Sequence, residues 1–369
     1  MYLKQLRLSN FKNIPEEVLS FSPKLNCFVG GNGEGKTNLL DAIYYLSFCK
    51  SYFNAIDTQV IRHGEEGFIL HGRYSRNGDR EDEVSCQLGR SLRKQFRFNA
   101  REYDRLADHI GRIPLVMISP YDRDLINEGS EVRRRYVDSV ISQFDPRYLD
   151  ELITYNKALG HRNALLRRFA ESRTFNEESL MLWDRQMSGP SAYIHDQRKA
   201  FLQGYITLFA SYFELISGGR EEVRIEYESQ LADNGQDDLF LESRQRDLSL
   251  RFTSTGIHKD DFNFLIDGFP AKKFGSQGQQ KSFAVALKLA QFDYIRQLTG
   301  ARPLLLLDDV FDKLDDRRVE QLIHLVSDQR FGQVFITDTS MERIGRIFAE
   351  AAVPHRIFHI RGGQAETLE

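Results

Sequence analysis

The residues best suited to chemistry lie together near the amino terminus, in the run Gly30-Gly31-Asn32-Gly33-Glu34-Gly35-Lys36-Thr37, followed by Asn38. The spacing G-x-x-x-x-G-K-T suits a polyphosphate. Closely spaced glycines let backbone N–H groups converge on phosphate oxygens, and the helix that follows adds the positive end of its dipole. Lys36 is positioned to neutralise the β and γ phosphates, and Thr37 to offer its hydroxyl to Mg²⁺. The alternative is a glycine-rich turn that only joins a strand to a helix. The apolar CFV before the loop and the helical NLLDAIYYLSF after it favour the phosphate reading.

A second acidic element lies 272 positions beyond Lys36. Leu304 to Leu307 read as a strand covered on both faces, and Asp308 and Asp309 follow at its carboxyl end, where open α/β sheets place ligands. Asp308 is expected to hold Mg²⁺, directly or through water, and Asp309 to polarise the attacking water. Capping of the next turn is the competing role for either acid.

Just before that strand, Ser276-Gln277-Gly278-Gln279-Gln280-Lys281-Ser282 precedes a helical run with Phe283, Leu287, Ala290, Tyr294 and Leu298 on one face. A serine and exposed N–H groups at a helix start form an anion site. The same residues also read as an ordinary N-cap, with Gln279 completing a capping box.

These pieces need elements to hold them. LKQLRLSNF and LNCFVG read as strands, and the β-rich runs between Phe68 and Phe98 form a small antiparallel lobe turning at Asn77-Gly78. From Glu131 to Ile216 apolar residues recur at spacings of three and four. Several helices are expected there, interrupted at Pro146 and at Gly189-Pro190 and ended by Gly218-Gly219. VRIEYES and DFNFLIDGF return to strand character, and Asp315 to Ser327 reads as a helix. The domain reading is 1–130 for the first part of an α/β head, 131–220 for an inserted helical lobe and 221–369 for the rest of the head.

Composition sets wider bounds. In 369 residues, 50 basic side chains face 53 acidic ones, a formal charge of −3, so any nucleic-acid contact must be argued from local surfaces. A charged fraction of 28% with mean hydropathy −0.46 speaks against an integral membrane protein. Cys27, Cys49 and Cys86 form no C-x-x-C pair, which fits a reducing cytoplasm and neither a disulfide framework nor a zinc site. His63 and His71 lack metal-ligand spacing, while His258, beside a glycine turn and Asp260-Asp261, is a weaker site candidate. Arg133, Arg134 and Arg135, with Arg162, Arg167 and Arg168, suit DNA phosphates or a salt-bridged face, the latter being commoner on charged helices.

The S-Q-G-Q-Q segment resembles the signature motif of ATP-binding-cassette (ABC) ATPases. The order of phosphate loop, signature, LLLLDD and Asp315 in DKLDDRR is also that superfamily's order. The resemblance implies that Ser276 contacts the γ-phosphate of ATP held by an opposite subunit, so that two nucleotides are sandwiched in a homodimer. The 272-residue interval is longer than in transporter subunits and shorter than in proteins with long coiled-coil arms. LRLSNFKN, GKTNLLDAIYYLS, VIRHGEEGFILHGRY, SPYDRDLINEGSEVRRRYVD, STGIHKDD and FGSQGQQKS are similar to the RecF family, within the SMC/Rad50-like ABC ATPases.

That resemblance implies an α/β fold: an ABC-type head with a P-loop, a mixed sheet and an antiparallel β lobe, plus an inserted mainly helical lobe. It implies ATP and Mg²⁺ as cofactors and a weak, DNA-stimulated ATPase. It further implies binding to DNA, duplex or at single-strand/double-strand junctions, and cooperation with RecR and RecO in loading RecA at gaps. Three departures qualify it. Lys50 stands in an otherwise arginine-containing segment, Lys259 interrupts a histidine-arginine-aspartate run, and Thr337-Asp338-Thr339 replaces the switch histidine of transporter ATPases. The competing readings are an ATPase subunit of a membrane transporter, disfavoured by the long interval and that absent histidine, and a nucleotide-binding interaction module without meaningful turnover.

Overall fold

In Tyr2–Phe11 (β1), Leu3, Leu6, Leu8 and Phe11 are buried, and a bulge between Leu3 and Gln5 explains the spacing of three that breaks the alternation. β1 is the second strand of an antiparallel sheet with β2 (Ile14–Ser20), β4 (Gly67–Ser75), β5 (Glu81–Gly89), β6 (Leu92–Phe98) and β7 (Arg101–Glu102), in the order β2-β1-β4-β5-β6-β7. The expected β lobe therefore recruits the first strand of the chain. Helix α1 (Lys36–Phe48) shares a core with this sheet, and Phe11, Phe68 and Tyr45 meet edge to face at 5.4 to 6.2 Å.

The computed structural model describes residues 1–76, 80–219, 221–232, 235–310, 324–345 and 353–368. The Asn77-Gly78 turn, Asp315 and most of the helix expected from Asp315 lie outside the described residues. Two units emerge: Met1–Tyr121 with Ile295–Glu369, and Asp122–Tyr294. Among the described residues no helix is long and apolar enough to cross a membrane.

The second unit contains α2 (Asp124–Asn127), α3 (Ser130–Ile141), α4 (Pro146–Ser172), α5 (Glu177–Ser217), β9 (Val223–Glu228), α6 (Gln236–Leu250), β10 (Asp261–Ile266), β11 (Phe269–Pro270), α7 (Ala271–Phe274) and most of α8 (Gln277–Thr299). Pro146 opens α4, with the Asp145 carboxylate accepting from the Tyr148 N–H at 3.0 Å. The interruption expected at Gly189-Pro190 does not occur, since Pro190 lies inside α5. A proline in a helix interior costs about 3 kcal/mol. The hydroxyls of Ser188 and Ser191 donate to the Asp184 and Met187 carbonyls beside the break, and Met187, Ile194, Phe201, Tyr205, Phe209 and Phe213 bury one continuous face. Burial of that face outweighs the lost bond. Gly218 ends the helix in the left-handed conformation. On α8 the predicted apolar face is buried from Phe283 to Tyr294, whereas Leu298 is exposed.

The unit extends to 294, beyond the expected limit of 220, because two buried arginines tie the earlier helices to the later segments. Arg162 of α4 bonds Asp184 at 2.6 Å, Asp247 of α6 at 2.7 Å and Thr253 at 2.9 Å. Arg198 of α5 bonds Asp138 of α3 at 2.9 Å and Asp260 at 2.8 Å, while Tyr227 of β9 donates to the same Asp260 at 2.6 Å.

The chain then returns to the first unit with β12 (Leu304–Leu307), β13 (Val334–Asp338), β14 (His355–Arg361) and β15 (Gln364–Thr367), which join β3 (Leu25–Val29) and β8 (Leu115–Ile118). The order is β15-β14-β3-β13-β12-β8, parallel apart from β15. The carboxyl ends of β3, β13 and β12 are thus neighbours.

Removing one partner of a buried ion pair strands the other charge. Arg198→Met, which strips Asp138 and Asp260 of their cation, is expected to cost about 3–5 kcal/mol in urea unfolding followed by circular dichroism. Arg135→Met removes only an exposed pair with Glu131 and is expected to cost under about 1 kcal/mol. Equal losses would deny the buried pair its role.

Candidate nucleotide site

Three adjacent strand ends bring the motif residues of the first unit together. The glycine-rich loop leaves β3, Asp308 and Asp309 leave β12, and Thr337-Asp338 close β13. The hydroxyl of Thr37, 271 positions away in sequence, donates to Asp308 Oδ1 at 2.8 Å. Lys36 is buried, and its ammonium donates to the carbonyls of Gly30 at 2.9 Å and Gly31 at 2.8 Å. The cleft alongside is about 420 Å³ and is lined by Asn32, Gly33, Lys36, Thr37, Asn38, Asp309 and Arg343, among others.

Two of the glycines are fixed by geometry. A Cβ on Gly30 would meet the Ile360 carbonyl oxygen of β14 at 2.3 Å. Gly35 has φ 115, and a Cβ there would meet the Asn13 amide at 2.8 Å. Asn13, in the turn between β1 and β2, donates to the Glu34 carbonyl at 3.2 Å and accepts from the Asn38 amide at 2.8 Å. Lys12 beside it pairs at 2.7 Å with the buried Asp41 of α1, which also accepts from Ser51 Oγ and Tyr52 N–H at 2.7 Å each. The SNFKN run therefore buttresses the loop and the helix behind it. Sequence reasoning missed Asn13; its signal was an asparagine in a tight turn with no obvious local duty. The Glu34 carboxylate bonds the Gly362 N–H, and its carbonyl accepts from the Gly363 N–H at 2.9 Å.

Asp308 is buried, and burial pushes its carboxyl up to about 6. Hydrogen bonds from Thr37 and Thr337 and the charge of Lys36 act the other way, and neighbouring Asp309 adds to the rise. A carboxyl this poor at holding its charge alone, bonded to a hydroxyl oxygen, matches the all-oxygen donor set of a hard divalent cation. Thr37 and Asp308 fit Mg²⁺. Asp309 lines the cleft and adopts φ 44. Beyond it, Asp338 accepts from Ser340 N–H at 2.6 Å and pairs with Arg343 at 2.7 Å.

The signature residues belong to the second unit. Ser276 N–H donates to Gln279 Oε1 at 2.7 Å, and Gln279 N–H donates to Ser276 Oγ at 3.2 Å, a complete capping box. Gln279 also donates to Glu221 at 2.7 Å, so its amide serves the protein's own structure. Ser276, Gln277 and Gly278 are exposed at the amino end of a 23-residue helix. The box uses the serine oxygen as acceptor and leaves its hydrogen as a donor, so capping and anion contact are compatible.

Other candidates turn out to be structural. Arg133 forks onto Asp261 at 2.8 and 2.9 Å, Arg134 donates to the Asp260 carbonyl, and Arg135 pairs with Glu131. Arg162 is fully buried, which removes it from any phosphate contact, while Arg167 and Arg168 remain exposed. His258 bonds Tyr155 Oη at 2.6 Å and the Thr253 carbonyl at 3.1 Å. Burial lowers its pKa to about 4, so it is neutral packing, not a site. Lys259 lies over the Phe252 ring at 5.2 Å, and Lys50 is exposed just past the end of α1. All three cysteines are free and buried.

The family model of the RecF/RecN/SMC N terminal domain matches residues 2–363. A protein called DNA replication and repair protein RecF from Phocaeicola vulgatus is 48% identical, over 99% of this chain and 98% of its own length. Its namesake from Flavobacterium johnsoniae is 47% identical, over 98% and 100%. The solved structure of the recombination mediator protein RecF with ATP, in the RecFOR pathway, superposes with TM-score 0.90 at 29% identity, covering 100% of this chain and 98% of that one. A Smc head domain from Pyrococcus furiosus, at TM-score 0.58 and 16% identity, shares the fold.

A carboxyl whose folded pKa exceeds its unfolded value binds protons on folding, so the stability it contributes falls as pH rises from 3.8 to about 6 and stays low above that. In EDTA, Asp308→Asn is expected to stabilise the chain at pH 7.5 by on the order of 2–3 kcal/mol and to change little near pH 4, in urea unfolding at the two pH values. An equal effect at both would contradict the raised carboxyl.

Proposed function

The chain belongs to the RecF/RecN/SMC N-terminal family, among the RecF proteins of DNA replication and repair, and from that premise we propose that it is an ATP-switched DNA clamp of gap repair. The observation that carries this reading is the Thr37–Asp308 contact, which joins the two halves of a nucleotide site across the chain. In it, the loop from Gly30 to Asn38 wraps the phosphates of ATP, the N–H groups it leaves unbonded binding their oxygens, and Lys36 neutralises the β and γ oxygens. Thr37 and Asp308 hold Mg²⁺, whose charge helps neutralise the phosphates when bound. Asp309 takes a proton from the attacking water, and ADP and phosphate are released slowly. The slow rate fits the absence of a switch histidine in Thr337-Asp338-Thr339 and an aspartate, Asp309, where transporter ATPases usually carry glutamate.

Ser276 of a second copy completes the site by donating its hydroxyl hydrogen to the γ-phosphate, so ATP closes a homodimer and hydrolysis reopens it. With a net charge of −3, the single chain grips DNA weakly, and dimer closure gathers local basic surfaces into one binding surface. DNA at single-strand/double-strand junctions stimulates turnover, and RecR and RecO join the complex to load RecA, in the cytoplasm. A transporter subunit finds no support in relatives that are DNA repair proteins over their full length.

Two measurements test this. Ser276→Arg is expected to keep nucleotide binding while losing the ATP-Mg²⁺ dimer in light scattering; a variant that still dimerises contradicts the completion in trans. Wild-type protein should be retained on gapped duplex with ATP more than with ADP, and less as salt rises. No retention at low salt would overturn the repair reading.

A further inference from the structure

In the sequence Thr337 stands out only as part of a run lacking a histidine, yet its side chain touches both acids of the site. It is fully buried at the carboxyl end of β13. Its hydroxyl oxygen accepts from the Asp309 N–H at 2.8 Å. The same oxygen lies 2.9 Å from Asp308 Oδ1 and 3.4 Å from Asp309 Oδ1, so its single hydrogen goes to Asp308. Asp309 sits at φ 44, in the left-handed region, where a residue other than glycine persists only if its surroundings hold it. The bond from its N–H to Thr337 supplies that hold.

The same strand end also reaches the phosphate loop. Thr337 and Asp338 pair in register with Phe28 and Val29 of β3, and the Asp338 carbonyl accepts from the Gly30 N–H at 3.2 Å. One short stretch of β13 therefore fixes the first glycine of the loop on one side and both acids on the other.

We propose that Thr337 is the positioning residue of the nucleotide site: its hydroxyl sets the oxygen that Asp308 presents to the cation and the backbone conformation from which Asp309 faces the cleft. The proposal rests on the ATP reading above. A threonine that merely fills the core would be replaced by valine, which has the same shape, without consequence at the site. A positioning threonine would not be, and serine, which keeps only the hydroxyl, would rescue it.

The full-length chain with Thr337→Val is compared with wild type and Thr337→Ser. Mn²⁺ binding in the presence of ADP is followed by electron paramagnetic resonance, ADP binding in EDTA by calorimetry, and turnover at saturating ATP. Thr337→Val is expected to bind ADP in EDTA as wild type does, to bind Mn²⁺ about tenfold more weakly and to turn over about tenfold more slowly, as befits one lost hydrogen bond to a charged group. Thr337→Ser should restore both. Wild-type Mn²⁺ affinity and turnover in the valine variant would overturn the proposal, as would a serine variant as poor as valine. Should valine lower the melting temperature enough to unfold the chain, Thr337→Ala supplies the same comparison. A wild-type chain that binds neither ADP nor Mn²⁺ would remove the ATP reading together with this inference.

Discussion

The site depends on one buried carboxylate oxygen. Asp308 Oδ1 accepts from Thr37 at the start of α1 and from Thr337 at the end of β13, while its own backbone leaves β12. Three segments far apart in sequence are held to that atom, and the adjacent order of β3, β13 and β12 makes this possible. Parallel strands covered on both faces supply the rigidity, and their carboxyl ends supply polar residues at that edge of the core. Burying an acid there is unfavourable in isolation, as its raised carboxyl pKa shows. The site is thus poised for a cation, because a positive charge would relieve what the hydrogen bonds relieve only in part.

Where the sequence was legible, the physics was local. The phosphate loop depends on glycine positions and on a strand-loop-helix context within some twenty residues, and both were visible. The four leucines and two acids of β12 were visible for the same reason. What stayed hidden were partnerships across the chain. Asn13 reaches the loop from a turn twenty residues earlier, and Thr337 reaches the acids from another strand; neither residue type announces such a duty. Pro190 misled because local propensity was weighed without the continuous apolar face that carries α5 through it. The limit at 220 misled because helical periodicity marks helices and is silent about Arg162 and Arg198, whose carboxylate partners come from further along the chain.

The arginines also sharpen the charge argument. Of those that the sequence offered to DNA, Arg133, Arg134, Arg135 and Arg162 are engaged within the second unit. Arg167 and Arg168 stay exposed, but a chain at −3 with four of its six candidate arginines engaged internally offers only a weak solitary grip on phosphates. The proposed assembly of two copies on ATP would gather such surfaces, and Ser276, Gln277 and Gly278 are exposed at the start of α8.

The central claim is that each nucleotide is held by the loop of one copy and the signature of another. Mixing two defective chains tests it most directly. Lys36→Ala copies lack a working loop but keep the signature, and Ser276→Arg copies have the reverse defect, so a heterodimer contains one complete site. The account predicts that each variant alone is inactive and that the mixture recovers ATP turnover. A mixture as inactive as its components would contradict it.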